Sequence, residues 1–230
     1  METEETPLYV SPEEYFMIEE RVEVKLEYDQ GRIVPKEGSR PLPDWVVREL
    51  LKPDFDESTL EFEFEMNDTL YQYEFPMATQ KHDDLILNLQ RLLYLEANSD
   101  KAIKVYGQGP KVYISLTGKY RVPDVTISPV KAEQEFIKDR LVNPIAIFEV
   151  LSESTAEKDH NEKLDEYLNI ESLQEYFLVA QTEQKIQRYR RMERKTDGRS
   201  AWEYYVFREG TLPISCVQME LDIAAVYQDT

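Results

Sequence analysis

An apolar run with a single acid inside it, PIAIFEVL, occupies residues 144–151 and decides the fold. Such a run is typical of a strand that is buried on both faces in the middle of a sheet. The pattern of residues 155–169 predicts an amphipathic helix, and EYFLVA at residues 175–180 predicts a second buried strand. A strand, a helix and another strand in this order indicate a crossover connection within one sheet.

The segments on either side extend this core. Upstream, leucines and an isoleucine at helical spacing predict a helix over residues 83–98, and residues 112–116 and 122–128 predict short strands. Downstream, residues 185–192 and 202–207 predict an antiparallel pair of strands. The order of these elements predicts an α/β fold with a mixed β-sheet that is flanked by helices.

The N-terminal part has a different, strand-rich pattern. Ser11 is placed to cap a helix over residues 12–18, and two short strands are predicted on either side of the turn Asp29-Gln30-Gly31. Strict alternation of apolar and acidic residues in LEFEFEM predicts the first strand of an acidic hairpin within residues 57–76. The α/β core therefore carries an N-terminal β-rich extension.

We expect a single domain over residues 1–230, because this length suits one large domain. Three regions make it up. An acidic, β-rich region with an insertion covers residues 1–78, the core covers residues 79–192, and a C-terminal hairpin strand and tail cover residues 193–230.

Composition excludes several classes of protein. The chain has 7 glycines and no Gly-rich phosphate-binding loop, so we expect no nucleotide cofactor. Cys216 is the single cysteine, which excludes an internal disulfide bond and a cysteine-cluster zinc site. The acidic N-terminus lacks the pattern of a secretory signal, and no apolar run is long enough to span a membrane. We therefore expect a cytoplasmic protein without a membrane partner.

The net charge of −19 argues against a nucleic-acid partner, because phosphates attract basic surfaces. The acidity is concentrated in residues 1–100, which hold 25 acidic and 9 basic residues. Residues 101–230 hold 21 acidic and 18 basic residues and are nearly balanced. The objection therefore applies to the N-terminal part more than to the region of the candidate site.

Two carboxylates stand where a purely structural role would not put them. Asp124 follows Pro123 in a strand-like segment, and Glu149 interrupts the apolar strand. Buried charges are rare without a partner or a metal, and Mg²⁺ binds carboxylates together with water and phosphate oxygens. Two acids on adjacent strands can therefore share one divalent cation. In the alternative, Asp124 ends a strand and Glu149 pairs with a structural arginine or lysine, because ion pairs are commoner than active sites.

The helix after Glu149 could complete such a site. Asp159, Lys163 and Tyr167 are spaced at i, i+4 and i+8 and therefore share one helix face. Lys163 would orient the attacking water and stabilise charge on a phosphate, with Asp159 as its positioning partner. In the alternative, Asp159 and Lys163 form an ordinary exposed ion pair, and Tyr167 is an ordinary core residue.

These motifs, in this order and spacing, resemble the Uma2 family. The resemblance is strongest over about residues 120–192 and is carried by VPDVTIS (122–128), PIAIFEVLSEST (144–155), DHNEKLDEY (159–167) and QEYFLV (174–179). The family is assigned to the PD-(D/E)XK restriction endonuclease-like superfamily and is abundant in cyanobacteria. The resemblance implies a restriction endonuclease-like core and a metal-dependent endonuclease that hydrolyses phosphodiester bonds of DNA.

The resemblance also assigns the site. The two motif acids correspond to Asp124 and Glu149 of this chain. Leu151 stands at the position of the signature lysine, and Lys163 matches the lysine that takes this role from the following helix in the family. The resemblance implies that Asp124, Glu149 and the carbonyl of Val150 hold Mg²⁺ or Mn²⁺.

A second interpretation comes from a different class of protein. Leu151 at the lysine position and the net charge of −19 favour a catalytically inactive nuclease-fold protein that acts as a nucleic-acid- or protein-binding regulatory module. For a nuclease, cutting both strands is simplest with two active sites, so we predict a homodimer.

Four further residues are secondary candidates. Glu27 is either a third acidic ligand or one of many surface acids. His82 is either a phosphate contact or a structural residue that opens a helix. Arg188 and Arg190 share one face of a predicted strand within the basic concentration at residues 183–199. They either follow a phosphate backbone or belong to a solvated hairpin tip.

Overall fold

Two units make up the chain. The first consists of Met1–Met77 and Gly118–Tyr120, and the second of Ala78–Thr117 and Arg121–Thr230. The computed structural model describes residues 8–38, 40–55, 62–66, 69–73, 77–97, 103–130, 136–137, 140–141, 143–151, 158–192 and 201–230, with backbone alone at 62–66, 69–73, 136–137 and 158–161. The interpretation of residues 1–230 as one domain stays a prediction.

The helices and strands follow one another along the described residues. The helices are α1 Pro12–Glu19, α2 Asp44–Leu50, α3 Gln80–Ala97, α4 Lys158–Leu168 and α5 Ile223–Val226. The strands are β1 Leu26–Asp29, β2 Arg32–Pro35, β3 Phe62–Met66, β4 Thr69–Tyr73, β5 Ile103–Tyr106, β6 Lys111–Ile114, β7 Lys119–Arg121, β8 Val125–Pro129, β9 Phe136–Ile137, β10 Arg140–Leu141, β11 Ala146–Leu151, β12 Glu175–Ala180, β13 Ile186–Arg191, β14 Trp202–Phe207, β15 Thr211–Ile214 and β16 Met219–Asp222.

The start of α1 in the first unit is capped by its own side chains. The Ser11 hydroxyl accepts a hydrogen bond from the Glu14 backbone N–H at 3.2 Å, and the Glu14 carboxylate accepts one from the Ser11 N–H at 2.7 Å. This reciprocal capping confirms the predicted helix start. β1 and β2 form the predicted antiparallel hairpin, whose turn places Gln30 and Gly31 at positive φ.

Aromatic side chains pack together in the first unit. The fully buried Tyr15 ring lies 5.4 Å from that of Tyr28 and 5.9 Å from that of Tyr120. The Tyr15 hydroxyl donates to the carbonyl of Leu26 at 2.7 Å, and burial raises the pKa of that hydroxyl. β3 and β4 pair antiparallel and confirm the predicted hairpin, of which residues 57–61, 67–68 and 74–76 lie outside the described residues.

The second unit is built on a mixed sheet in the order β14-β13-β12-β11-β8-β5. β11 and β12 are parallel, and the other neighbouring strands are antiparallel. α4 follows β11 and precedes β12, so it makes the crossover that parallel neighbours require. The predicted α/β fold with a mixed sheet is confirmed. β6, β10 and β9 pair in a further group of strands within this unit.

Successive residues of β11 point to opposite faces of the sheet. Phe148 and Val150 pack in a core with the buried leucines of α3. Ile147 packs in a second core with Tyr167 of α4. Glu149 alternates with Phe148 and Val150 and therefore faces the α4 side. Each face of the central sheet is thus covered by one of the two long helices.

Short elements at the C-terminal end have no counterpart in the sequence prediction. β15 and β16 pair antiparallel, and α5 follows them. Leu212, Leu221 and Val226 from these elements are buried in the core that α3 shares. Each element has only four residues, too few for a periodic pattern to indicate its type.

Several boundaries differ by a few residues from the predicted ones, and two predicted segments extend beyond the described residues. The helix predicted over residues 155–169 is α4, Lys158–Leu168, and residues 152–157 lie outside the described part of the chain. The charged turn of the last predicted hairpin, residues 193–200, lies outside it as well. Within the described ranges, no helix is both long enough and apolar enough to cross a membrane.

Candidate functional site

Asp124 immediately precedes β8 and is 1% exposed. Its Oδ2 accepts a hydrogen bond from the Val150 backbone N–H at 2.7 Å, and its Oδ1 accepts one from the Gln108 side-chain amide at 2.7 Å. The pairing of β8 with β11 ends at Val125 and Phe148, before it reaches Val150. The Asp124 carboxylate therefore takes the place of a strand partner for the Val150 N–H.

Glu149 is the acid inside β11 and is 6% exposed. Its Oε1 accepts a hydrogen bond from the Tyr167 hydroxyl at 2.9 Å. Continuing the register of β8 and β11 by one residue sets Glu149 opposite Asp124. Since Asp124 also binds the peptide N–H that follows Glu149, the structure brings the two predicted acids together at one end of the strand pair.

His82 lies in the first turn of α3 with its side chain 4% exposed. Its Nε2 is 3.6 Å from Asp124 Oδ2, and its Nδ1 is 3.6 Å from Asp83 Oδ1. Both distances exceed those of a hydrogen bond, so the interaction with Asp124 is a close electrostatic contact. The Thr79 hydroxyl accepts the His82 backbone N–H at 3.3 Å and holds the start of the helix. His82 thus borders Asp124, and a phosphate contact by it stays a prediction.

Lys163 lies on α4, one helical turn before Tyr167, and is partly buried. Residues four apart share a helix face, so Lys163 is on the face from which Tyr167 reaches Glu149. Glu166 of the same helix is buried, and its carboxylate accepts hydrogen bonds from Arg121 Nε at 2.7 Å and Nη2 at 3.0 Å. This ion pair fixes the helix that carries Lys163.

Two acids, Asp159 and Glu27, are secondary candidates. Asp159 belongs to α4, one turn before Lys163, but its side chain lies outside the described residues. Glu27 lies on β1 of the first unit and is 1% exposed, so it is not the surface acid of the alternative interpretation. Burial is the main cause of the raised pKa of Tyr15, and the charge of Glu27 also raises it. The predicted roles of both acids remain predictions.

The basic strand β13 differs from what the sequence predicts. Arg188 is 3% exposed, and its Nη2 lies 2.6 Å from Glu175 Oε1 and donates to the Ser215 hydroxyl at 2.7 Å. A guanidinium in this buried pair cannot follow a phosphate backbone, so the prediction for Arg188 does not fit the structure. Arg190 is partly exposed, with its Nε 3.6 Å from Glu203. Arg190 stays a candidate phosphate contact.

The donor set at Asp124 and Glu149 suits a hard divalent cation. Among the described residues, no group of three or more histidine, cysteine or acidic side chains is arranged to hold a metal. Two carboxylates with water and substrate phosphate oxygens are nevertheless the usual ligands of Mg²⁺. A carboxylate oxygen can accept two interactions, so the hydrogen bond from Gln108, Val150 or Tyr167 does not by itself prevent that oxygen from binding a cation.

A solved structure shares the fold of this chain. A crystal structure described as that of "a putative nuclease belonging to DUF820" from Anabaena variabilis superposes with a TM-score of 0.52 and 15% sequence identity. The match covers 70% of this chain and 87% of the other. This similarity shows a shared fold, which in this chain is an α/β fold with a mixed sheet flanked by helices.

The chain belongs to the Uma2 family. The model of that family, described as "Putative restriction endonuclease", matches residues 47–218. A curated relative from Synechocystis sp., the "Uncharacterized protein sll1609", is 33% identical over 118 residues, which cover 50% of this chain. The chain spans 65% of the length of that relative. Asp124, Glu149 and Lys163 all lie within the matched family region.

The sequence prediction does not include Gln108, and it does not pair Tyr167 with Glu149. Gln108 stands between Gly107 and Gly109, and no local pattern ties it to Asp124. Tyr167 carries one usable signal, because it lies four residues after Lys163 on the same helix face. Its aromatic character nevertheless made an ordinary core residue the simpler interpretation.

Proposed function

We propose that this chain is a metal-dependent endonuclease that hydrolyses phosphodiester bonds of DNA. The observation that carries the proposal is the pair of buried acids, Asp124 and Glu149, on neighbouring chain segments at the end where β8 and β11 stop pairing. Membership of the Uma2 family and the nuclease-like fold support the same activity.

Asp124 and Glu149, with the carbonyl of Val150, would hold Mg²⁺ or Mn²⁺. When bound, such a cation neutralises charge on the scissile phosphate and makes its bound water more acidic. Lys163 brings a positive charge from α4 and would orient the attacking water beside the phosphate. The water oxygen forms the new bond to phosphorus while the bond to the leaving sugar oxygen breaks.

The DNA backbone would meet the protein through phosphate contacts. His82 beside Asp124 and the partly exposed Arg190 are the candidate contacts within the described residues. Since the chain carries a net charge of −19, binding should depend on local basic groups and should weaken as salt concentration rises.

A plasmid cleavage assay tests the proposal. The purified full chain should nick or cut supercoiled DNA with Mg²⁺ or Mn²⁺, and EDTA should abolish the reaction. Asp124→Asn and Glu149→Gln should abolish it with the fold retained. Glu183→Gln is the matched control, because Glu183 is an exposed acid paired with Arg208. Metal-independent cleavage, or unchanged cleavage by Glu149→Gln, would contradict the assigned site.

A second candidate function is a nuclease-fold regulatory module without catalysis. Leu151 at the position of the signature lysine and the acidic net charge favour it. Calorimetric titration separates the two functions: a chain that binds neither Mg²⁺ nor Mn²⁺ at millimolar concentration, yet binds DNA or a protein, is the regulatory module.

We also propose that the nuclease acts as a homodimer, because two active sites cut both strands in one encounter. Light scattering after size exclusion, at micromolar concentration, should give twice the mass of the 27.2 kDa chain. A monomer mass would remove this proposal and leave nicking of one strand as the expected activity.

A further inference from the structure

The hydroxyl of Tyr167 links helix α4 to the acid inside the central strand. Tyr167 is fully buried, and its ring lies 5.2 Å from the ring of Tyr176 in the core between α4 and the sheet. Its hydroxyl donates to Glu149 Oε1 at 2.9 Å. A phenol in an apolar core needs a polar partner for its hydroxyl, and here that partner is the candidate metal ligand.

Other contacts hold α4 in place independently of this hydroxyl. The carboxylate of Glu166, one residue before Tyr167, accepts two hydrogen bonds from the buried guanidinium of Arg121. At the end of the helix, Arg191 Nη2 donates to the carbonyls of Leu168 at 3.1 Å and Ile170 at 2.6 Å. The position of the helix therefore does not require the Tyr167 hydroxyl. The hydroxyl acts on the orientation of the Glu149 carboxylate.

The chemistry of the donor matters as much as its position. A guanidinium beside a carboxylate cancels its charge, as Arg188 does for Glu175 at 2.6 Å. A phenol is neutral at physiological pH, so its hydrogen bond orients one oxygen of Glu149 without cancelling the charge of the carboxylate. Hydrogen bonds of this kind to ligand carboxylates orient them and strengthen metal binding.

We propose that Tyr167 is a positioning residue that orients Glu149 for the divalent cation. This proposal rests on the proposed function, because it takes Glu149 as a metal ligand. It adds a role to α4, since the helix that brings Lys163 then also fixes a ligand. Lys163 and Tyr167 lie one turn apart on α4, so the helix fixes the position of Lys163 relative to the hydroxyl that binds Glu149.

Calorimetric titration of the full chain with Mn²⁺ tests this role. Tyr167→Phe keeps the ring and removes only the hydroxyl, so the fold and the thermal transition should be preserved. The Kd for Mn²⁺ should rise about 10-fold or more, the usual effect of removing a partner of a metal ligand. Tyr227→Phe is the matched control, because its hydroxyl donates to the backbone carbonyl of Lys185 at 2.8 Å.

Cleavage gives a second readout. Excess Mn²⁺ should restore most of the activity of Tyr167→Phe, because the ligand is still present, and should not restore that of Glu149→Ala. An unchanged Kd in Tyr167→Phe, with Mn²⁺ binding by the wild type, would overturn the role of Tyr167 alone. A wild type that binds no Mn²⁺ would overturn the proposed function and this inference with it. A Tyr167→Phe chain that loses its fold would contradict the independent anchoring of α4.

Discussion

Glu149 and Glu175 lie on the neighbouring parallel strands β11 and β12 and are both buried, at 6% and 1% exposed, but their partners differ. Glu175 meets the guanidinium of Arg188 at 2.6 Å and accepts the Cys216 backbone N–H at 2.8 Å. Glu149 accepts the hydroxyl of Tyr167 at 2.9 Å. The first arrangement is a buried ion pair, and the second is an acid oriented by a neutral donor.

The same contrast separates Glu166 from Asp124. Arg121 binds Glu166 through two hydrogen bonds, whereas the amide of Gln108 and the N–H of Val150 bind Asp124. A buried carboxylate that is paired with an arginine has a structural role. Removing the arginine would leave an uncompensated buried charge and destabilise the fold. A hydrogen bond from a neutral donor orients a buried carboxylate without cancelling its charge. The hydrogen bonds from Tyr167, Gln108 and Val150 therefore differ in kind from the arginine pairs of Glu175 and Glu166.

The largest expected effect follows from removing the charge of Glu149. Glu149→Gln should lower the rate of DNA cleavage by about 10³-fold, because the cation that stabilises the transition state loses a ligand. The Tyr167 hydroxyl can still donate to the side-chain carbonyl of Gln, so the thermal transition should change little. Cleavage kinetics and a melting curve on the same sample measure both quantities.

Asp124→Asn should behave in the same way. If either variant cleaves DNA at the wild-type rate, Asp124 and Glu149 are not the site. If either unfolds, the two acids belong to the framework, like Glu175.

Removing the partner of Glu175 should instead affect stability. Arg188→Met leaves the carboxylate buried and should lower the free energy of unfolding by about 3–5 kcal/mol. Chemical denaturation measures this loss, and the Kd for Mn²⁺ should stay unchanged. Arg208→Met is the control, because Arg208 pairs with Glu183 on an exposed surface and its loss should matter little.

A double substitution sharpens this comparison. Adding Glu175→Gln to Arg188→Met removes the uncompensated charge and should recover part of the lost stability. No recovery would mean that the pair is not the source of the loss.

Lys163→Ala should have an intermediate effect. Cleavage should fall by about 10²-fold, since the lysine stabilises charge on the phosphate, while the Kd for Mn²⁺ should remain within about twofold because the lysine is not a ligand. Single-turnover cleavage and calorimetry separate the two quantities. Lys185→Ala, which removes a partly exposed lysine paired with Glu183, is the control. Wild-type cleavage by Lys163→Ala would move the role to Lys158 or to the basic hairpin.

The double substitution with Asp159→Ala asks whether Asp159 works through Lys163. If it does, Asp159→Ala alone has a smaller effect and adds little once Lys163 is gone. Fully additive losses of cleavage rate would show that the two residues act independently.

The smallest expected effect concerns the hydroxyl of Tyr227, which donates a hydrogen bond to a backbone carbonyl. Burial raises the pKa of the Tyr227 hydroxyl to about 12 from its ordinary value of 10.0. Because the folded pKa is the higher one, this stabilisation is fully present below pH 10 and is lost as pH rises towards 12. Stability measured from pH 9 to 12 should therefore fall less steeply for Tyr227→Phe than for the wild type. Identical slopes would contradict this effect.

The sequence predicts those parts of the molecule that depend on local patterns. The apolar run of β11 and the helical spacing of α3 predict the core, and Glu149 is conspicuous because it interrupts that run. The partners of buried charges come from distant elements, which no local pattern shows. Arg188 therefore looked like part of a basic surface, although Glu175 on the neighbouring strand and Ser215 bury it.

A crystal soaked in Mn²⁺ would show whether Asp124 and Glu149 hold a divalent cation. The two carboxylates should bind the ion, so an anomalous peak should lie at roughly 2.1 Å from an oxygen of both Asp124 and Glu149. No comparable peak should lie at Glu175 or Glu166, whose charges are taken by arginine. A soaked crystal without a peak at Asp124 and Glu149, or with the ion bound at Glu175, would contradict the account.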